Sequence, residues 1–346
     1  MSKSSGKAMT AEEARQAMME DPSQLRGTTP VERQESTVTS IREDLRTADK
    51  LYTEAVDYAR SFMDDAKEGR SFDFNDATPL VNDLIDLVFR NDSAAAAISK
   101  LKAFDEYTYT HCINVSVLSI VLGKRLGYSR EQLELIGKAG MFHDVGKSAI
   151  PSSILNKPGK LNEREMNIMR THPIRGFQML KDQRGIPEEV LRGALEHHEK
   201  HDGSGYPRGL KGESISEVAK LLAVVDVYDA LTSKRVYKDP MPPSKVLGMM
   251  YQWRVTDYYP NIVEQFIKSL GVYPIGSFVQ LSTGERGVVI NHAPDDPLNP
   301  LVKIVYDRRF RQIPAREVDL TSRQSLHIKD VINPDDYGID VYRLLQ

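Results

Sequence analysis

The chain carries a single cysteine, Cys112, in 346 residues, so no internal disulfide is available to it. That suits a reducing compartment. No apolar run approaches the roughly 18 residues of a spanning helix, and no membrane association is expected. The opening Met-Ser-Lys-Ser-Ser-Gly-Lys lacks the apolar core of a secretory signal, so the expected location is cytoplasmic. Charge of either sign is in little excess: 46 Lys and Arg against 49 Asp and Glu leave a net −3. Without a global basic field, DNA binding is not expected, and an anionic substrate must be met by local positive charge. Histidine is also scarce, with eight in all, yet six of them fall between His111 and His201. Apolar content of 40% and charged content of 27% are ordinary for a globular chain, long enough for a large core and one smaller domain.

Four regions are expected. Residues 1–35 are polar and read as a flexible segment, with a short helix at Ala11–Met19. Residues 36–94 form an N-terminal helical region. There Ile41, Leu45, Ala48, Tyr52, Ala55, Ala59 and Phe62 recur in steps of four and three. Such a stripe either packs on its own domain or forms the seam of a homodimer. Thr78–Phe89 is amphipathic, and Asn91-Asp92-Ser93 caps a further helix at Ala94–Phe104.

Residues 95–271 form the largest unit, all helical. Helices are expected near Tyr107–Leu126, Arg130–Met141, Asn162–His172, Pro187–His198, Val218–Leu231, Ser244–Trp253 and Ile262–Leu270, with loops at 148–158 and 199–215. Residues 272–346 form a small β-rich module and tail, with strands at Ser277–Leu281, Gly287–Asn291 and Leu301–Tyr306. The fold class expected is mainly α, a helical bundle with a small C-terminal antiparallel β-barrel or sheet.

The histidines come with carboxylates in a pattern that suits metal. His143-Asp144 and His197-His198 are adjacent pairs, His111 and His172 stand singly, and Asp226 sits inside the apolar run Ala223-Val-Val-Asp-Val. Neutral imidazole and carboxylate favour borderline divalent ions. An unpaired buried carboxylate such as Asp226 is costly, so a metal or strong hydrogen bonds must compensate it. Adjacent residues near a helix end point roughly 100° apart, letting Asp144 reach between two ions while His143 holds one. Lys147 lies one helical turn on, placed to meet a phosphate or a leaving oxygen. So many ligands exceed the needs of one open catalytic ion and suit two sharing a carboxylate. Such a pair can hold a bridging hydroxide for attack on phosphorus.

The order His111, His143-Asp144-x-Gly146-Lys147, His172-Pro173, His197-His198-Glu199, Asp202-Gly203-x-Gly205-Tyr206-Pro207 and Asp226-x-x-Asp229-Ala-Leu-Thr resembles the HD-GYP subfamily of HD-domain phosphohydrolases. The likeness runs over roughly residues 95–270. It implies an HD-type helical fold and hydrolysis of cyclic di-GMP to pGpG, to GMP, or to both. It also implies one ion at His111, His143, Asp144 and Asp226, and a second at His172, His197 and His198, with Asp144 bridging. Iron is the favoured ion and manganese the next. Three-metal members carry a glutamate where this chain has Tyr107, which implies two ions here. Lys147, Arg235 and Lys238 match phosphate-contacting positions, and Gly205, Tyr206 and Pro207 match the characteristic loop. That loop touches substrate or a protein partner such as a diguanylate cyclase, or only shapes itself.

Several residues have blander readings. Asp229 is expected to support the fold or the ligands rather than bind metal, Cys112 to be a buried small hydrophobe, and His201 to lie at the surface. A different function also stays open: a receptor or scaffold that binds cyclic di-GMP or a protein without turning it over.

Overall fold

The computed structural model describes residues 38–91, 107–233, 240–293, 296–322 and 325–345. The helices expected at Ala11–Met19 and Ala94–Phe104 lie outside the described residues, as do Arg235 and Lys238.

The first helix, α1 (Val38–Lys67), runs for 30 residues. Five residues of its stripe are buried within the chain itself: Ala48, Tyr52, Ala55, Ala59 and Phe62 are each at most 1% exposed. These five therefore pack on their own domain and offer no surface for a dimer seam. Phe62 meets Phe142 at a ring separation of 4.6 Å, and Phe72 stacks on the same ring at 5.7 Å. α2 (Ala77–Arg90) lays Val81, Leu84, Ile85 and Val88 on the same core.

α3 (Tyr107–Arg125) and α4 (Arg130–Phe142) pack closely against each other. α4 begins on a reciprocal cap, Ser129 with Gln132, which satisfies two of the helix's orphan donors. A 3-10 turn, Val145–Ala149, follows directly. The loop expected at 148–158 contains a single helical turn, α5 (Ser152–Leu155).

One helix was expected at Asn162–His172, but two stand there. α6 (Glu163–Met169) starts on an Asn162–Glu165 reciprocal cap. α7 (His172–Lys181) starts afresh with Pro173 in its first turn, where the missing N–H costs nothing. α8 (Glu188–Glu196) ends at His197. α9 (Glu217–Thr232) is buried almost all round, as its apolar sequence demands of a central helix. α10 (Pro243–Trp253) and α11 (Pro260–Leu270) complete the helical body.

The C-terminal module is an open sheet rather than a barrel. β1 (Phe278–Leu281), β2 (Arg286–Ala293), β3 (Asp296–Tyr306), β4 (Gln312–Asp319) and β5 (Ile328–Val331) run antiparallel in the order β4-β3-β2-β1-β5. A short helix, α12 (Val341–Leu345), follows. β4 and β5 escaped the sequence reading because each is an edge strand with one buried residue, Val318 and Ile328 respectively. With so little buried, neither shows the alternation that marks a strand.

Candidate metal centre

Five elements bring the predicted ligands together. α3 supplies His111 one turn from its start, and α4 hands over to the corner His143-Asp144. α7 begins on His172, and α9 carries Asp226. The end of α8 presents His197 and His198. His111, His143, Asp144, His172 and His197 are each at most 2% exposed, and Asp226 is 6% exposed.

The corner can form only because residue 146 is glycine. A Cβ there would lie 2.0 Å from the His172 carbonyl oxygen and 2.4 Å from the Gly176 nitrogen. The backbone of the 3-10 turn thus rests directly on the first turn of α7, which holds His172 against Asp144.

Among the described residues two groups could hold a metal ion, each with its donor atoms within 4.8 Å of one another: His111, His143 and Asp144, then His172, His197 and His198. Asp144 stands between them. Its Oδ2 lies 3.4 Å from His111 Nε2 and 3.2 Å from His143 Nε2. Its Oδ1 lies 3.2 Å from His172 Nε2 and 3.8 Å from His197 Nε2. Asp226 faces both groups as well, with Oδ1 3.0 Å from His111 Nε2 and Oδ2 3.8 Å from His198 Nδ1.

Ring orientation is set from behind. Carbonyl oxygens only accept, so the Nδ1 atoms of His143, His172 and His197 donate to Gly140, Met169 and Ala194 at 2.7, 2.9 and 2.9 Å. In a neutral ring that leaves the Nε2 lone pair aimed at the centre. His111 Nδ1 donates to Asp229 Oδ2 at 2.8 Å, so Asp229 orients the His111 ring.

The charges fit a cation. His172 Nε2 and His197 Nε2 face each other at 3.2 Å, too close for two bare lone pairs, so a proton or a cation must lie between them. Among the described residues, the buried His143 Nε2 and Asp144 Oδ1 find no hydrogen-bond partner. Burial opposes ionisation of Asp144, but His143 and Lys147 outweigh it and hold its carboxyl well below the usual range. Asp226 is likewise depressed, by its hydrogen bond to His111 and the neighbouring imidazoles against the cost of burial. Burial, reinforced by the adjoining imidazoles, pushes His197 well below its ordinary value. Burial is also the main cause that brings His198 to about 3. Anionic carboxylates and neutral imidazoles are the protonation states that ligands require. The residues present fit divalent metal.

Around the centre, Lys147 Nζ pairs with Asp144 Oδ2, its side chain 20% exposed at the rim. Tyr206 stacks on His198 with rings 4.7 Å apart and 29° between planes. Gly205 lets the loop close: a Cβ there would fall 2.5 Å from the His198 carbonyl oxygen. Pro207 is half-buried beside it. His201 is half-buried against the Tyr259 ring, apart from both groups. Cys112 is buried, and burial pushes its thiol up to about 12, so it behaves as the small hydrophobe expected.

Two residues, Arg170 and Asn114, escaped notice in the sequence, and Glu199 stood there in the motif without a role. Glu199 accepts the backbone N–H groups of Arg208 and Leu210 at 2.7 and 2.9 Å, tying the loop that carries Tyr206. Arg170 places its guanidinium 5.5 Å from the Tyr206 ring centre. Asn114 reaches Asp229 from one turn beyond His111, the only signal that pointed to it.

A helical body built round a paired histidine–aspartate cluster defines a metal-binding class of helical protein. Comparison gives the family: residues 85–262 match the HD domain, and the chain belongs to the HD domain family. Residues 278–339 match a KOW domain associated with HD domain. The chain is 38% identical to a cyclic di-GMP phosphodiesterase of Pseudomonas aeruginosa over 81% of its own length and 68% of that protein's. It is 42% identical to a cyclic di-GMP phosphodiesterase response regulator of Xanthomonas campestris over 43% of this chain and 39% of that one. A solved HD-GYP-type protein from Bdellovibrio bacteriovorus aligns over 74% of this chain and 78% of its own, at 17% identity and a TM-score of 0.49. Among the described residues no helix is long and apolar enough to cross a membrane.

Proposed function

We propose that the chain is a metal-dependent phosphodiesterase that hydrolyses cyclic di-GMP. The observation that carries this reading is Asp144, whose two oxygens face two separate groups of imidazoles. The names of the relatives from Pseudomonas and Xanthomonas supply the substrate.

His111, His143, Asp144 and Asp226 would hold one divalent ion, and His172, His197 and His198 a second, with Asp144 shared. Iron is the first choice and manganese the next. Bound there, such ions supply an activated water and charge for the phosphodiester oxygens. The chain's own residues do the rest. Lys147 Nζ, held beside Asp144 at the rim, offers an ammonium to the charge growing on phosphate or leaving oxygen. Tyr206, backed by His198, offers a ring face on which a guanine base can stack. Arg235 and Lys238 are assigned to the phosphates by resemblance. The product is pGpG, with GMP if a second cut follows.

The test is a chromatographic time course on anaerobically purified, metal-assayed protein, run beside a binding titration. The expected result is metal-dependent loss of cyclic di-GMP that a chelator stops and that Asp144→Ala abolishes. Binding without turnover in fully metal-loaded protein would make the chain a receptor and overturn the proposal. Undiminished turnover in the His143→Ala/Asp144→Ala double variant would overturn the assigned site.

A further inference from the structure

A line of buried hydrogen bonds leaves the cluster and ends on α1, outside the residues that match the HD domain. His111 Nδ1 donates to Asp229 Oδ2 at 2.8 Å. The other oxygen of Asp229 accepts from Asn114 Nδ2 at 2.9 Å. Asn114 Oδ1 in turn accepts from the Tyr52 hydroxyl at 2.6 Å. Tyr52, Asn114, His111 and Asp229 are between 0% and 3% exposed, so water does not compete along the line.

We propose that Tyr52 is a positioning residue for His111, acting through Asn114 and Asp229, so that the N-terminal helix is a working part of the metal site. The inference rests on the reading of the cluster as a metal site.

The argument is one of directionality. A carboxylate only accepts, so Asn114 must turn its NH2 toward Asp229. Its carbonyl oxygen then points to α1 and needs a donor, which Tyr52 provides. With that donor gone, a buried carbonyl loses its partner and the amide loses what distinguishes its two orientations. Flipped, it would set oxygen against oxygen at Asp229. Asp229 is also held by the Ser233 hydroxyl at 2.9 Å, so the carboxylate would rotate rather than leave. Rotation changes the ring angle of His111, whose Nε2 lies 3.0 Å from Asp226 Oδ1. The phenol is kept as a donor: burial, then the charge of Asp229, raises its pKa well above the ordinary value. A second acceptor, the Thr110 carbonyl oxygen, lies farther off at 3.4 Å.

The experiment titrates Mn2+ into the metal-stripped full chain by calorimetry. It compares the wild type with Tyr52→Phe and Asn114→Ala, and repeats each in a His172→Ala background that leaves only the His111 site. Tyr52→Phe is expected to weaken the His111 site about 10-fold, the low end for partners of ligands. The other site should stay within about twofold. Val56→Ala, which removes buried methyl groups from α1 away from the line, should lower stability without changing the ratio of the two affinities. If Tyr52→Phe leaves both affinities unchanged, or lowers both equally, the inference is wrong while the metal-site reading stands. A wild-type chain that takes up no Mn2+ overturns both.

Discussion

Gly146 is the position where structure makes the sharpest demand on sequence, and Gly146→Ala tests it. The added methyl would lie 2.0 Å from one backbone atom of α7 and 2.4 Å from another, where packed carbons do not approach within 3.0 Å. Backbone cannot swing aside as a side chain can, so α7 must retreat by about 1 Å. Overpacking of this kind costs about 3 kcal/mol, the upper part of its usual range. For a unit of this size, that corresponds to a fall in Tm of roughly 6–12 °C.

The retreat carries His172 away from Asp144 Oδ1, now 3.2 Å from its Nε2. A displacement of about 1 Å at a reacting centre can cost about 100-fold in rate. Facing it is a built-in control. A methyl on Gly176 would come no closer than 3.2 Å to its nearest neighbour, the Gly146 nitrogen. Gly176→Ala also gains up to about 1 kcal/mol of helix propensity, so it should leave stability within about 1 kcal/mol of wild type. Thermal unfolding with metal analysis of both variants decides the matter. Equal stability and full metal content in Gly146→Ala would refute the packing argument.

Two further outcomes follow from the site. His198 is held at about 3 and His197 is also depressed, both chiefly by burial. Between pH 6.5 and about 3 the unfolded chain therefore binds protons that the folded chain refuses, and acid lowers stability. The depressed carboxylates, Asp144 and Asp226, contribute stability above about pH 4 and lose it only below that. The metal-free protein should thus lose about 1–2 kcal/mol from His198 alone between pH 7 and pH 5. A urea midpoint that does not move over this range would contradict it. Glu199→Ala strips partners from two backbone N–H groups and should cost about 1–3 kcal/mol. With the Tyr206 loop loosened, KM for cyclic di-GMP should rise more than kcat falls. The reverse split would mean that Glu199 acts on the chemistry instead.

Much of this was legible beforehand for a local reason. A histidine, a carboxylate or a glycine announces its chemistry wherever it stands, and helices with one buried stripe, such as α1 and α2, repeat with a period the eye can follow. The unreadable parts were those whose cause lies elsewhere in the chain. β4 and β5 are strands because β3 and β1 offer them partners, not because their own residues alternate. The helix expected to end at His172 instead stops at Met169, and Pro173, a residue that suits the first turn, opens the next.

Residue identity thus determined which side chains can bind metal, where most helices run, and which family the chain resembles. Tertiary structure decided which oxygen of Asp144 faces which imidazoles, that the stripe of α1 from Ala48 to Phe62 is spent inside its own domain, and that Tyr52 reaches the cluster at all. The reason is range. Periodicity acts over a few residues, whereas His111 meets Asp229 across 118 positions and Tyr52 meets Asn114 across 62. Those separations close only when a whole core packs, and no local pattern records them.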